Sequence, residues 1–168
     1  MTEPIMKRAK GDGVEIQLAI WEGDGKQILC VHGLTANCRC WDVTASALAP
    51  RHLVLAMDLR GRGLSGKPPT GYSVEHHIQD IYYLMDDMGL ERAVLMGHSL
   101  GAFVSLAFAA QHPERVERLV LCHRGLLSIR SQGGEEWCAL QSPASPHRGG
   151  VFKHKEGGAR RILSKGLW

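Results

Sequence analysis

One stretch constrains the fold more than any other. Between Ala93 and Ala110 an apolar run of strand length enters Gly97-His98-Ser99-Leu100-Gly101 and leaves as an apolar run of helix length. A strand that becomes a helix within three residues forces the residue at its apex into strained dihedrals. The neighbours two before and two after must lack bulk. Gly97 and Gly101 supply that lack of bulk, and Ser99 takes the apex. Its hydroxyl then stands clear at the carboxyl end of the strand, with the N–H groups of the helix start aimed at whatever it attacks. A glycine-flanked turn of no chemical purpose is the bland alternative, and the strand before and the helix after argue against it.

The rest of the chain divides into two unlike pieces. Residues 1–122 carry fourteen acidic and twelve basic side chains, a net of −2, whereas residues 123–168 carry three acidic and eight basic, a net of +5. The second piece packs in eight glycines and Ser, Arg and Pro clusters such as Ser142-Pro-Ala-Ser-Pro-His-Arg-Gly-Gly150. It holds no sustained period of strand or helix, which reads as a basic loop or disordered tail, or as sequence out of frame with the first piece. Residues 1–122 are expected to be the folded core, and 168 residues suffice for one domain.

Along the first piece, Val14–Trp21 alternates for most of its length and predicts a strand, with Gly11-Asp-Gly13 and Gly23-Asp-Gly25 as hairpin-type turns on either side. Gln27–Val31 and His52–Met57 are short continuous apolar runs, the pattern of strands buried on both faces. Between them a helix is expected with Trp41, Ala45 and Leu48 on one face. Ser73 can cap a second helix, with Val74, Ile78, Ile81, Met85 and Met88 as its apolar stripe and Glu75, Gln79, Asp80, Asp86 and Asp87 on its other face. The elbow strand and its helix follow, then a strand at Val116–Cys122. Strands alternating with helices predict an α/β fold: a three-layer αβα sandwich around a mostly parallel sheet, with the opening hairpin adding antiparallel strands at one edge.

Two motifs are decoys. Gly61-x-Gly63-x-x-Gly66 matches a dinucleotide fingerprint, and Gly66-Lys67 nearly completes a P-loop. Both mechanisms need a helix to begin at the last glycine, and Lys67-Pro68-Pro69-Thr70-Gly71 cannot open one there. Cys38-x-Cys40 lacks a second Cys/His pair at ligand spacing and reads as two ordinary loop cysteines. Neither a cofactor nor a metal is therefore expected.

Four motifs fall in one order: a His32-Gly33 turn after a buried strand, Asp58-x-Arg60-Gly-x-Gly-x-Ser65 after the next, the Gly97–Gly101 turn, and His112-Pro-Glu-Arg-Val116. Together they resemble the α/β-hydrolase fold superfamily over about residues 12–122, and the turn around Ser99 resembles its nucleophile elbow. The resemblance implies that Ser99 is a nucleophile and that the backbone N–H groups of Leu34 and Leu100 form an oxyanion hole. It implies that His32 and Gly33 shape the oxyanion turn, that Gly97, His98 and Gly101 build the elbow, and that Asp58 and Arg60 shape a loop. His32 and His98 are not expected to be bases, since one lies within the oxyanion turn and the other precedes Ser99 and points away. A serine at the elbow argues against the haloalkane and epoxide branches, whose members generally use an aspartate there.

Members continue with a variable cap and two more strands, whose ends carry an acid and a histidine. No aspartate follows Asp87, and Glu135, Glu136, Glu156, His147 and His154 have no strand before them. No triad acid or histidine is assigned, and the fold is expected to be an incomplete α/β-hydrolase lacking its last strands, with the sixth strand as an open apolar edge prone to association. His123 directly follows that sixth strand, so a Ser99–His123 dyad is one arrangement to weigh.

The expected function is that of a serine hydrolase acting on an ester, lactone or similar carbonyl substrate through a Ser99 acyl-enzyme. The alternative is a non-catalytic module that keeps the pocket as a ligand site. A small-molecule substrate is the expected partner. The basic tail has few aromatics and no amphipathic stripe, so neither nucleic acid nor membrane is expected as a partner. Five cysteines in no disulfide rhythm, and no apolar segment after the N-terminal charges, predict a cytoplasmic protein.

Overall fold

The computed structural model describes residues 2–122 and three short strands beyond them. Strand β1 (Ile5–Lys10) turns through Gly11–Gly13 into β2 (Glu15–Trp21), and the two pair antiparallel from Ile5↔Ile20 to Lys10↔Glu15. Strand β3 (Gln27–Val31) leads into a short 3-10 turn at Cys38–Trp41 and helix α1 (Asp42–Leu48). Strand β4 (Leu53–Met57), helix α2 (Val74–Asp87), strand β5 (Ala93–His98), helix α3 (Leu100–Gln111) and strand β6 (Val116–Cys122) complete the continuous part. The order across the sheet is β1-β2-β4-β3-β5-β6, with β4, β3, β5 and β6 parallel at its centre.

Helices α2 and α3 cover one face of this sheet, and the 3-10 turn and α1 the other. Ile16, Leu18, Leu29, Leu55 and Leu95 pack with Ile78, Ile81, Leu84, Met85, Val104 and Phe108 on the first face. Ala19, Trp21, Ile28, Cys30, Val54 and Ala56 pack with Cys38, Trp41, Ala45 and Ala49 on the second. This is the expected three-layer α/β arrangement, and it explains why the inner strands read as unbroken apolar runs. Helix α3 is buried on nearly every side, because it lies over β5 and β6 and packs against α2.

Three local expectations are corrected. Gly23-Asp-Gly25 is not a hairpin turn: β2 pairs with β4 from Leu18↔Met57 to Trp21↔Val54, and β3 lies beyond β4. The doubly buried β3 belongs at the sheet centre, which a hairpin with β2 would deny it. Ser73 occupies the position before α2 but its hydroxyl makes no cap bond; it lies 2.8 Å from Nδ1 of His76. Asp80 is not on the solvent face of α2 but fully buried.

Of residues 123–168, the structure describes β7 (Ser128–Arg130), β8 (Glu136–Cys138) and β9 (Gly150–Phe152). The first two pair with one another, and β9 pairs antiparallel with β6 from Leu119↔Phe152 to Leu121↔Gly150. The sixth strand is thus not a wholly open edge, since its free backbone groups take a partner over those three residues. Among the described residues no helix is long and apolar enough to cross a membrane.

Candidate active site

The site lies where β5 passes into α3. Ser99 has φ 51° and ψ −113°, and is the only non-glycine among the described residues with positive φ. Its N–H donates to the carbonyl of Cys122 at 3.1 Å, extending the β5–β6 ladder, while its own carbonyl accepts the N–H of Phe103 at 3.1 Å, opening the helix. One residue therefore ends the sheet and starts the helix, and the unfavourable dihedrals are the consequence. The two flanking glycines answer to close approach rather than to turn geometry. A Cβ on Gly97 would collide with the Gly101 carbonyl and the Ala102 backbone, and one on Gly101 with the carbonyls of Val31 and His32.

Leu100 is the first residue of α3, and first-turn amides have no acceptor within their own helix. The second expected amide, that of Leu34, lies in the turn after β3. Ala36 donates to the Gly33 carbonyl at 3.2 Å, which folds Leu34 and Thr35 into a tight turn with the Leu34 side chain 53 % exposed. Gly33 lies against the elbow: a Cβ there would stand 2.9 Å from Nδ1 of His98 and 3.3 Å from Cβ of Ser99. The turn after β3 and the serine are therefore neighbours in space, although residues 33 and 99 are far apart in the chain.

His32 is fully buried, and both ring nitrogens are engaged. Nδ1 lies 2.6 Å from the Gly33 carbonyl and Nε2 lies 3.0 Å from the Leu59 amide nitrogen. The network assigns the proton to Nδ1, which donates to Gly33, while Nε2 accepts from Leu59. Burial, more than any neighbour, pulls its pKa below the ordinary imidazole value, with the Arg62 charge adding in the same direction. A neutral ring spent on two backbone groups is a brace, not a base.

The turn after β4 is stitched to this region. The Asp58 carboxylate accepts the N–H of Cys38 at 2.6 Å and that of Leu64 at 2.7 Å. Arg60 meets Asp80 on two parallel bonds, Nε to Oδ2 at 2.6 Å and Nη2 to Oδ1 at 2.7 Å, and also holds the carbonyls of Gly71 and Asp12. Asp80 in turn accepts the Asp12 N–H at 2.8 Å. One buried ion pair thus joins the β4 turn, helix α2 and the β1–β2 hairpin. Arg62 Nε donates to the Leu34 carbonyl at 2.8 Å, a contact from the same loop directly onto the turn after β3. No helix begins at Gly66, where a nucleotide loop would need one. Cys38 is buried, and burial with the nearby Asp58 charge pushes its thiol up to about 12, the state of an inert core cysteine.

Residues 26–130 match the family model for the alpha/beta hydrolase fold. The chain belongs to the α/β-hydrolase fold family. An uncharacterized protein of Mycobacterium tuberculosis H37Rv is 40 % identical over 103 residues, 61 % of this chain and 30 % of that protein. A 2-(acetamidomethylene)succinate hydrolase of Mesorhizobium japonicum is 38 % identical over 99 residues, 59 % of this chain and 36 % of that enzyme. Among solved structures, an epoxide hydrolase of Vigna radiata superposes with a TM-score of 0.68 at 27 % identity, covering 71 % of this chain and 39 % of that one. The matched stretch spans about a third of the length of these curated relatives.

Within this α/β-hydrolase core, His98 is exposed and immediately precedes the serine. Among the described residues no histidine nitrogen or carboxylate is hydrogen-bonded to the Ser99 hydroxyl. His123, the expected dyad partner, lies outside the described residues, as do the side chains of Glu135, Glu136, His147, His154 and Glu156. Sequence reasoning missed two residues of the supporting network, Asp80 and Arg62. A buried aspartate on a polar helix face leaves no periodic signal, though the arginine two residues after Asp58 was a hint of a partner.

Proposed function

We propose that this α/β-hydrolase core carries a serine nucleophile and belongs to an enzyme that cleaves an ester, lactone or similar carbonyl substrate through an acyl intermediate on Ser99. The observation that carries the reading is the backbone of Ser99 itself, held at φ 51° between a sheet bond and a helix bond. Strain of this kind persists where the surroundings over-determine it, and it lifts the hydroxyl off the end of the strand. The Leu34 and Leu100 amides are the proposed donors to the oxyanion that forms as Ser99 Oγ adds to the carbonyl. Such donors stabilise the transition state by about 3–4 kcal/mol each. The serine favours acyl chemistry over epoxide opening, despite the similarity to an epoxide hydrolase. One relative's name, 2-(acetamidomethylene)succinate hydrolase, supports a hydrolytic reaction.

Acyl transfer also needs a base at hydrogen-bond distance from Ser99, and none is seen among the described residues. The second reading is a ligand-binding module that retains the pocket without turnover. A fluorophosphonate probe separates the two, because it labels only an activated serine. Labelling that is lost in Ser99→Ala, with turnover of a p-nitrophenyl ester, is the expected result. A folded protein that the probe leaves unmodified would overturn the enzyme reading in favour of the module.

A further inference from the structure

We propose that Arg62 is a recognition point for a carboxylate on the substrate, beside the acyl group that Ser99 attacks; the proposal rests on the serine-hydrolase reading above. Arg62 is half-buried, and two backbone carbonyls hold it in place: Nε donates to Leu34 at 2.8 Å and Nη1 to Gly61 at 3.2 Å. A guanidinium has five N–H donors. Among the described residues Nη2 donates to nothing and Arg62 forms no ion pair, whereas Arg60 is committed to Asp80 and Arg39 to Asp42 and Glu3. The nearby Asp58 carboxylate is occupied by the amides of Cys38 and Leu64. The result is a charged fork already fixed in position, so little side-chain entropy remains to be lost when an anion docks.

Its position decides what that anion belongs to. The Nε–Leu34 bond puts the guanidinium at the oxyanion turn, with Nε no more than about 7 Å from the Leu34 amide nitrogen by covalent geometry. A carboxylate held by the free Nη2, one guanidinium arm and one hydrogen bond further out, lies within about 12 Å of that amide, the reach of a short spacer to a carbonyl resting there. Lys67, with Nζ on the Gly63 carbonyl at 3.0 Å, adds a second positive charge to the same loop. Leu34, whose carbonyl Arg62 holds, and Leu64, two residues further along the same loop, are each more than half exposed and add apolar surface to these two turns. The substrate class these features select is a carboxylic acid that bears its hydrolysable acyl bond a short, partly apolar spacer away.

The test compares 3-carboxyphenylboronic acid with its methyl ester by titration calorimetry, since boronic acids occupy the place of the tetrahedral acyl centre at a serine. The wild-type protein is expected to bind the acid about tenfold more tightly than the ester at low salt. Arg62→Gln should bring that ratio close to one, and Arg62→Lys should keep part of it. A mere structural collapse would weaken both probes together and leave the ratio standing. If Arg62→Gln does not fold, the wild-type ratio between about 0.02 M and 0.5 M salt replaces it, and the preference must shrink. Equal binding of both probes by the wild type, or an undiminished preference in Arg62→Gln, overturns the Arg62 proposal alone. Absence of binding by either probe, together with a Ser99 that fluorophosphonate does not label, overturns the serine-hydrolase reading and this proposal with it.

Discussion

The ring of His32 accepts the amide proton of Leu59 on Nε2 at 3.0 Å, and through it the turn after β3 rests on the turn after β4. The bond exists only while His32 is neutral. Burial lowers the pKa of His32 below 6.5, and it is also the largest cause lowering those of His77 and His112. In each case the unfolded chain binds a proton that the folded chain resists, so stability is greatest above pH 6.5 and declines as pH falls below it. The melting temperature should therefore drop between pH 7.5 and pH 5.5. His32→Gln should flatten part of that slope while lowering stability at neutral pH. A melting temperature that is level or rises on acidification contradicts the neutral, doubly bonded ring.

The elbow can be tested without any activity. At φ 51° a serine or alanine is strained and a glycine is not. Ser99→Gly should be more stable than Ser99→Ala by about 1 kcal/mol in urea unfolding. The reverse order would mean that residue 99 sits in an ordinary helical or extended conformation.

Gly101 makes a second check on the same bend. A methyl group there meets the Val31 and His32 carbonyls, whereas Gly89 has nothing within 4 Å of its Cβ position and only a positive φ of 68°. Gly89→Ala should cost about 1 kcal/mol, the left-handed penalty alone. Gly101→Ala should cost about 1–3 kcal/mol from overpacking and should also displace the elbow. Comparable losses at both positions, with the fluorophosphonate reaction intact in Gly101→Ala, would argue against the tight helix–strand contact.

Arg60 and Asp80 are, respectively, 3 % and 0 % exposed at their side chains. Arg60→Ala leaves a buried carboxylate without its cation, and should cost about 3–5 kcal/mol by chemical denaturation. Arg60→Met with Asp80→Leu removes both charges and should recover most of that loss. A double variant as unstable as the single one would show that the hydrogen bonds to Gly71 and Asp12, not the pair, hold the loop.

The bend at Ser99 was legible from a single sequence because it is local. Glycines two before and two after a serine, between an apolar strand and an apolar helix, leave few conformations open. The buried strands β3 and β4 were equally plain, since burial on both faces writes an unbroken apolar run. Strand order was not, and Gly23-Asp-Gly25 was misread as a hairpin because the partner of β2 is chosen by packing across the sheet. Asp80 was assigned to solvent for the same reason: its cation lies twenty residues away. The chain alone determined that a hydroxyl stands at a strand-to-helix bend in an α/β fold, because short-range sterics permit little else. Only the tertiary structure decided that Gly33 abuts Ser99, that His32 braces Leu59 and that Arg62 holds Leu34, because those contacts exist once separate turns converge at the carboxyl ends of the central strands.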